Sequence, residues 1–428
     1  MNERDLKFLE IEKEINARGG DGEAVAEAYR KYYAFHEVRM LEWMAKLFDP
    51  DIGGFYYSNS GRDNDEIEWD GKKFKTGPDI ESTLDAVGIL INSGVIKSAK
   101  ELPDWMKEKM ISFASSLQDP EDGYIYHPQW GKTVAFARRG RDLNWALSLQ
   151  NHLDFKLPYK NALERMRESA GDAEKRKEVE KTMPEHLRSP EAFKEYLEGL
   201  DWFGEKGLAA YGAGNALAAQ AAMIHAAGLY DQACDFLDSI QNKETGIWGV
   251  QGGYSAVNAI LKIIAFYDYG KRPIPNPEKV AMISMDTINI PDRNNTVCYQ
   301  YNTWLSINFV KGNLRKAGGE ENEAIIKRID AEMLKRAPEC LLTTIEKIKP
   351  FKCEDASYSY YWDMTCPVSQ GAPVANCVKE GDLNATLING HGTLSHTLGV
   401  LGLGGIAPSL FSPDDYKIFL GALRKPTK

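Results

Sequence analysis

Four stretches of this chain share one form: a helix end, a polar turn, a small residue and then an aromatic. They are FDPDIGGFYYS at 48–58, LQDPEDGYIYH at 117–127, SIQNKETGIWGV at 239–250 and, less closely, KCEDASYSYYW at 352–362. The aromatics fall near positions 56, 124, 248 and 360, so the gaps are 68, 124 and 112 residues. Two of these gaps are close to twice a period of about 60, and a fixed period of that size marks stacked supersecondary units. About sixty residues hold two helices of roughly four turns with their loops, so the chain has room for about six or seven helical hairpins. An open stack would expose a concave surface and need polar caps. A closed ring would form a barrel of helices around a central cleft.

The periodicity elsewhere agrees. Residues 23–48 place apolar side chains at three- and four-residue intervals, the pattern of an amphipathic helix. A helix is expected from Pro103, and others near 206–228, 230–241, 254–269, 296–310, 319–336 and 385–402. Roughly thirteen or fourteen helices result. Alternating strand patterns are scarce. The expected class is all-α, with residues 1–428 forming one domain.

The run from Gln241 to Gly249 reads Q-x-x-x-x-G-x-W-G after a helix. It resembles the turns of α/α-toroid proteins, which include terpenoid-cyclase-like folds, glycoside hydrolases, polysaccharide lyases and sugar epimerases. The resemblance implies an (α/α)6 or (α/α)7 toroid with short β-turn segments in its loops. It also implies that loops at one end of the ring line a cleft, and that the chain is a carbohydrate-active enzyme.

Composition removes other classes. The net charge is −10 with no basic run, which argues against a nucleic-acid surface. The N-terminus is charged and amphipathic, and the longest apolar stretch, 397–411, is broken by glycines and a proline. Neither a membrane span nor an export signal is expected, and a cytoplasmic location follows. The six cysteines form no C-x-x-C pair, so free thiols are expected and a zinc site is not. GAGNALA lacks the third glycine of a dinucleotide fingerprint, and no phosphate-cradling loop occurs. No cofactor is expected. The partner is a small oligosaccharide, and homo-oligomerisation is left open.

Four clusters could carry chemistry. GFYYSNSGRDNDE at 54–66 supplies Tyr56, Tyr57, Asn59, Arg62 and Asp63; aromatic faces with polar groups between them suit sugars. TGPDIESTLDAVGIL at 76–90 supplies Asp79 and Glu81. There Pro78 is expected at the first helical position, where acids are also ordinary helix-start chemistry. A two-residue spacing places these acids on different faces. The third cluster holds Tyr126, His127, Trp130, Arg138, Arg139, Arg141, Asp142 and Asn144. Three arginines ahead of Asp142, expected as a helix N-cap, suggest carboxylate or phosphate binding. His127 is the candidate acid or base. The fourth, 357–396, holds Tyr360, Trp362, Gln370, Glu380 and Asp382 before a helix expected near Asn384. Its His391 and His396 are five apart, not the spacing of a helical metal pair. Within helices, Tyr211 with Asn215 and Tyr254 with Asn258 share faces, and Trp248 is added as a sugar contact. Each cluster also has a plain reading as surface turn or satisfied core.

Two chemistries compete. Elimination at a uronic acid needs a cation for the carboxylate, a base and a donor to the leaving oxygen. Arg138, Arg139, His127, Tyr211 and Tyr254 could supply them. Hydrolysis needs two carboxyl groups, from a pool of Asp63, Asp79, Glu81, Asp142, Glu380 and Asp382. The arginines favour an acidic sugar and place elimination first and hydrolysis second. A non-catalytic sugar-binding helical repeat is the third reading. A terpenoid cyclase is set aside because its D-x-D-D motif is absent.

Overall fold

The computed structural model describes residues 3–169, 183–204, 210–250 and 252–426. The repeated turn has one geometry in its first three copies. Asp49, Asp119 and Asn242 each accept two backbone N–H groups two and three residues on, at 2.8–3.2 Å. The N–H of Gly53, Gly123 and Gly246 returns to the carbonyl of the same three residues. These glycines have φ of 96°, 75° and 79°, the left-handed region that costs a side chain energy. The fourth copy is one residue shorter, and Ala356 takes the left-handed position at φ 69°. In the second and third copies a glutamine precedes the turn. Gln118 donates to the carbonyls of Gly123 and Tyr159, and Gln241 to those of Gly246 and Pro275. The glutamine therefore closes its own turn and ties it to the next loop, which explains the Q-x-x-x-x-G spacing.

The chain is predominantly helical. The expected 23–48 helix is two, Gly22–Phe35 and Arg39–Lys46. At the break, Lys352 takes the Phe35 carbonyl at 2.6 Å, and His36 Nδ1 meets the Tyr358 hydroxyl at 2.8 Å. Tertiary partners thus replace helical hydrogen bonds, which periodicity does not register. The helix expected near 319–336 runs on as Glu320–Ile348 through Pro338. That expected near 206–228 is Tyr211–Ala226, with residues 205–209 outside the described set. That expected near 385–402 divides into Leu383–Leu387, a π-turn over 388–392, and Thr393–Val400. Two small antiparallel hairpins add the only strands among the described residues: Glu66–Trp69 with Lys72–Lys75, and Val368–Ser369 with Ala372–Pro373. Asp70-Gly71 and Gln370-Gly371 turn them with positive φ at both residues, as a tight hairpin requires.

One series of helices runs side by side. Ile80–Asn92 packs on Phe136–Leu153, that helix on Tyr211–Ala226, and so on through Gly253–Tyr267, Cys298–Ala317 and Thr393–Val400. Leu383–Leu387, joined to the last by the π-turn, packs back on Ile80–Asn92. Other helices, including Asp104–Ser116, Pro277–Ile288 and Glu320–Ile348, pack against this series. Glycine permits the closest approaches. A Cβ on Gly140 would lie 2.5 Å from the Ala219 carbonyl, and one on Gly214 3.1 Å from Ile263. Gly214 of GAGNALA is thus a packing residue. Most of the buried apolar side chains form a single cluster. Among the described residues no helix is long and apolar enough to cross a membrane.

Candidate functional site

The site begins where Ile80–Asn92 begins. Asp79 is the N-cap: its Oδ1 accepts the Ser82 N–H at 2.9 Å and its Oδ2 the Ser82 hydroxyl at 2.7 Å. Pro78 therefore precedes the cap and is not the first helical residue. Glu81, in the first turn, is buried. Its Oε2 accepts Arg138 Nη1 at 2.8 Å and the Ser369 hydroxyl at 2.9 Å. Arg138 Nε also donates to Asp142 Oδ1 at 2.9 Å, and its Nη2 lies 4.0 Å from Asp79 Oδ1. The expectation that Asp79 and Glu81 diverge fails for a physical reason. A cap side chain folds over the first turn instead of following the helical face, so both acids reach one guanidinium.

The arginine loop and the Asp142 cap are also corrected. Phe136–Leu153 starts well before Asp142, with Ala135 at the N-cap position. Arg138 and Asp142 are one helical turn apart on the same face. Arg138 is fully buried between Trp130 and Trp145, with ring centroids at 5.1 and 4.8 Å. Its Nε and Nη1 are taken by Asp142, Glu81 and the Ser369 carbonyl, while its Nη2 is buried without a hydrogen-bond partner. Burial opposes its charge, but the Asp142, Glu81 and Asp79 carboxyls more than compensate. One guanidinium cannot neutralise three carboxylates. Burial accordingly raises Asp79 and pushes Asp142 up to about 7, with Arg138 opposing in both.

His127 lies beneath this cluster, 1% exposed. Its Nε2 accepts the Ile80 N–H at 3.0 Å, so in the neutral ring Nδ1 carries the hydrogen. Burial and Arg138 keep it neutral. Nδ1 faces Asp142 Oδ2 at 3.7 Å, and neither atom has another partner. His127 positions the helix start and cannot meet a substrate as an acid or base.

One residue absent from the expected set stands out. Asp85 follows Glu81 by one turn on the same helical face. Burial holds its carboxyl well above the usual range, and the charges of Glu81, Asp79 and Asp382 push the same way. Among the described residues no cation pairs with it within ion-pair distance. The signal lay in ESTLD, where two acids stand four apart in an otherwise apolar helix.

A second polar group lies along the next helices of the series. Arg141 donates to Asn215 Oδ1 at 2.6 Å. Asn302 donates to the Tyr254 hydroxyl at 3.2 Å and to Asn258 Oδ1 at 2.8 Å. Tyr254 stacks on Tyr299 at 3.8 Å, Lys262 stands over the Tyr211 ring at 5.8 Å, and the Cys298 thiol donates to the Tyr360 hydroxyl at 3.2 Å. Arg141, Tyr211, Asn215, Tyr254, Asn258, Lys262 and Tyr360 are only partly buried although they sit where helices face one another. The space between those helices is therefore not packed shut. Asn302, Tyr299 and Lys262 were not anticipated.

Other expected residues lie apart. Tyr56 and Arg62 line a separate cleft of about 750 Å³ with Asn64, Asp65 and Lys75. Asp63 pairs with Arg62 there at 2.7 Å, and Asn59 begins the same short helix. Tyr126 bonds Asp122 at 2.8 Å. Arg139 lies over its ring and donates to the Lys132 and Val134 carbonyls, so it too is occupied. Trp248 is fully buried with its indole N–H on the Leu237 carbonyl, a core residue and not a sugar contact. Tyr57 is buried against Val374 and Ala375. Asp382 is a buried N-cap bonded to Ala385, Tyr360 and Thr365. Trp362 packs on Phe351, Asn144 is part-exposed on the Arg138 helix, and Gln370 turns the hairpin that carries Ser369. Trp130, with Gln129, Gly371 and Pro373, lines a cleft of about 330 Å³ beside that hairpin. Glu81, Asp85 and Arg138 are thus buried around one helix start, and Arg141, on the Arg138 helix, belongs to the second polar group. No family model, curated protein or solved structure matches this chain.

Proposed function

We propose that this chain is a carbohydrate-active enzyme that hydrolyses glycosidic bonds with Glu81 and Asp85, inside an (α/α)6 toroid. Six inner helical segments in a series that returns to its start support the closed ring, and six over seven hairpins. The observation that carries the chemistry is the opposed setting of two carboxyl groups one turn apart. Glu81 is gripped by Arg138 and Ser369, whereas Asp85 makes no ion pair among the described residues and is pushed toward its protonated form by burial and the acids around it, against a smaller pull from Arg138. A carboxyl held protonated beside one held by an arginine suits a division into acid and base or nucleophile.

Asp85 donates its proton to the glycosidic oxygen as the bond to the anomeric carbon breaks. Glu81 either takes a proton from the attacking water or bonds to the anomeric carbon. Elimination loses its main support because Arg138 and Arg139 are spent on protein groups. Aromatic and amide side chains such as Tyr254, Asn258 and Asn302 suit the sugar ring. Six free cysteines suit a reducing compartment, which supports the cytoplasm.

The test is a panel of neutral and uronic oligosaccharides assayed for reducing ends and for the ultraviolet absorbance of a new double bond. Reducing ends without that absorbance support hydrolysis. New absorbance replaces the reading with elimination. Neither signal, with sugar binding intact, replaces it with a non-catalytic binder.

A further inference from the structure

Two cations in the partly open space make no ion pair among the described residues. Arg141 lies one turn beyond Arg138, and its one hydrogen-bond partner is the Asn215 amide oxygen. Lys262, on Gly253–Tyr267, stands over the Tyr211 ring. Neither makes an ion pair with an aspartate or glutamate among the described residues, although most other part-buried cations here do, as Arg62, Arg272 and Arg336 illustrate. They come from helices that flank Tyr211–Ala226 on its two sides. Their charges act on one another: burial and then Arg141 push Lys262 down to about 8. The Glu81 and Asp142 charges offset that of Arg141 only in part, since burial still lowers it, and holding two such cations in a confined space costs stability. A bound anion would offset that cost.

We propose that Arg141 and Lys262 form the subsite for the anionic group of an acidic sugar. This inference rests on the reading of the cavity as a sugar site. The guanidinium fork of Arg141 matches a planar or branched oxyanion, with the ammonium of Lys262 as a second point of charge. Asn215 fixes the fork through one arm and leaves the others free. Tyr254, Asn258 and Asn302 supply neutral donors and acceptors for hydroxyl groups. The arginines that suggested an acidic ligand from sequence act differently. Arg138 holds Glu81, Arg139 holds a loop, and Arg141 alone of the three is free for substrate.

The experiment is equilibrium binding by ligand-observed NMR. The probes are D-glucuronate, glucose 6-sulfate and D-glucose, with wild type, Lys262→Met and Lys262→Arg. Wild type is expected to bind at least one acidic sugar about tenfold more tightly than glucose, a difference of about 1.4 kcal/mol. Lys262→Met removes most of that preference, and Lys262→Arg keeps it. Whichever acidic sugar shows the preference identifies the anion. Equal affinity for all three sugars, binding of none, or a preference that survives in Lys262→Met or vanishes in Lys262→Arg overturns the subsite. Binding is read without bond cleavage. A preserved preference with no hydrolysis therefore sinks only the hydrolase reading.

Discussion

The starts of Ile80–Asn92 and Leu383–Leu387 are built alike. The sequences are DIESTLD at 79–85 and DLNATLI at 382–388. In both, the aspartate caps the helix through the N–H three residues on, at 2.9 and 2.7 Å. Its own N–H reaches the carbonyl of a turn aromatic, Phe55 or Tyr358. In both, the threonine hydroxyl accepts the N–H of that same aromatic, at 3.0 and 3.1 Å. The copies differ at four places, with Ile80 and Ser82 in the first standing where Leu383 and Ala385 do in the second. Glu81 and Asp85 in the first correspond to Asn384 and Ile388 in the second. One scaffold is used twice, and only one copy carries a carboxyl pair beside an arginine. The shared residues build the helix start; the carboxyl pair among the differing ones is what the proposed chemistry rests on.

The largest expected effect removes that difference. Asp85→Asn should lower turnover by about 10²- to 10⁴-fold, the worth of a general acid, while thermal stability stays level or rises because a buried carboxyl is gone. Equal loss of turnover and stability would reduce Asp85 to a packing residue. The loss of wild-type turnover as pH rises should follow deprotonation of this residue.

Next comes Arg138→Leu. Removing one side of a buried ion cluster costs about 3–5 kcal/mol. Burial already favours protonated Asp142 and Asp79, so the cost should be smaller at pH 5 than at pH 8. Denaturant unfolding at both pH values measures it, and a pH-independent cost would mean that the carboxyls are not left to carry the charge.

Thr83→Val and Thr386→Val test the shared part. Each leaves the buried N–H of its turn aromatic unpaired, for about 1–3 kcal/mol. Similar losses sharpen the equivalence of the two copies, and a loss at only one breaks it.

The last effect is a slope. Burial pushes Asp382 up to about 7, against about 3.9 for an unfolded aspartate. The folded state therefore holds the proton more tightly. The stability this confers is fully present below about pH 4 and is lost as pH rises toward about 7. Asp382→Asn keeps a capping oxygen and should flatten that fall in melting temperature. An unchanged slope would assign it to other groups.

The turns were legible because their requirements are local. An Asp or Asn that accepts two following N–H groups, then a glycine with positive φ, can be read within one short segment. The helices were legible from spacing, although His36 breaks one where Lys352 and Tyr358 replace its hydrogen bonds. The site was read only in part. Glu81, Asp79, Arg138 and Asp142 were picked out, but with the wrong relations. Asp142 was expected as a cap and is instead the helical partner of Arg138, and the arginines were expected to face a ligand.

By itself, then, the sequence determined the repeated turns, the helical class and the pool of polar side chains, because these depend on neighbours in the chain. Tertiary structure decided which of them meet. Arg138 meets Glu81 across 57 residues and Ser369 across 231, and burial there sets which carboxyls keep their protons. Charge state in an interior depends on every group that converges on it, and convergence is not written in spacing.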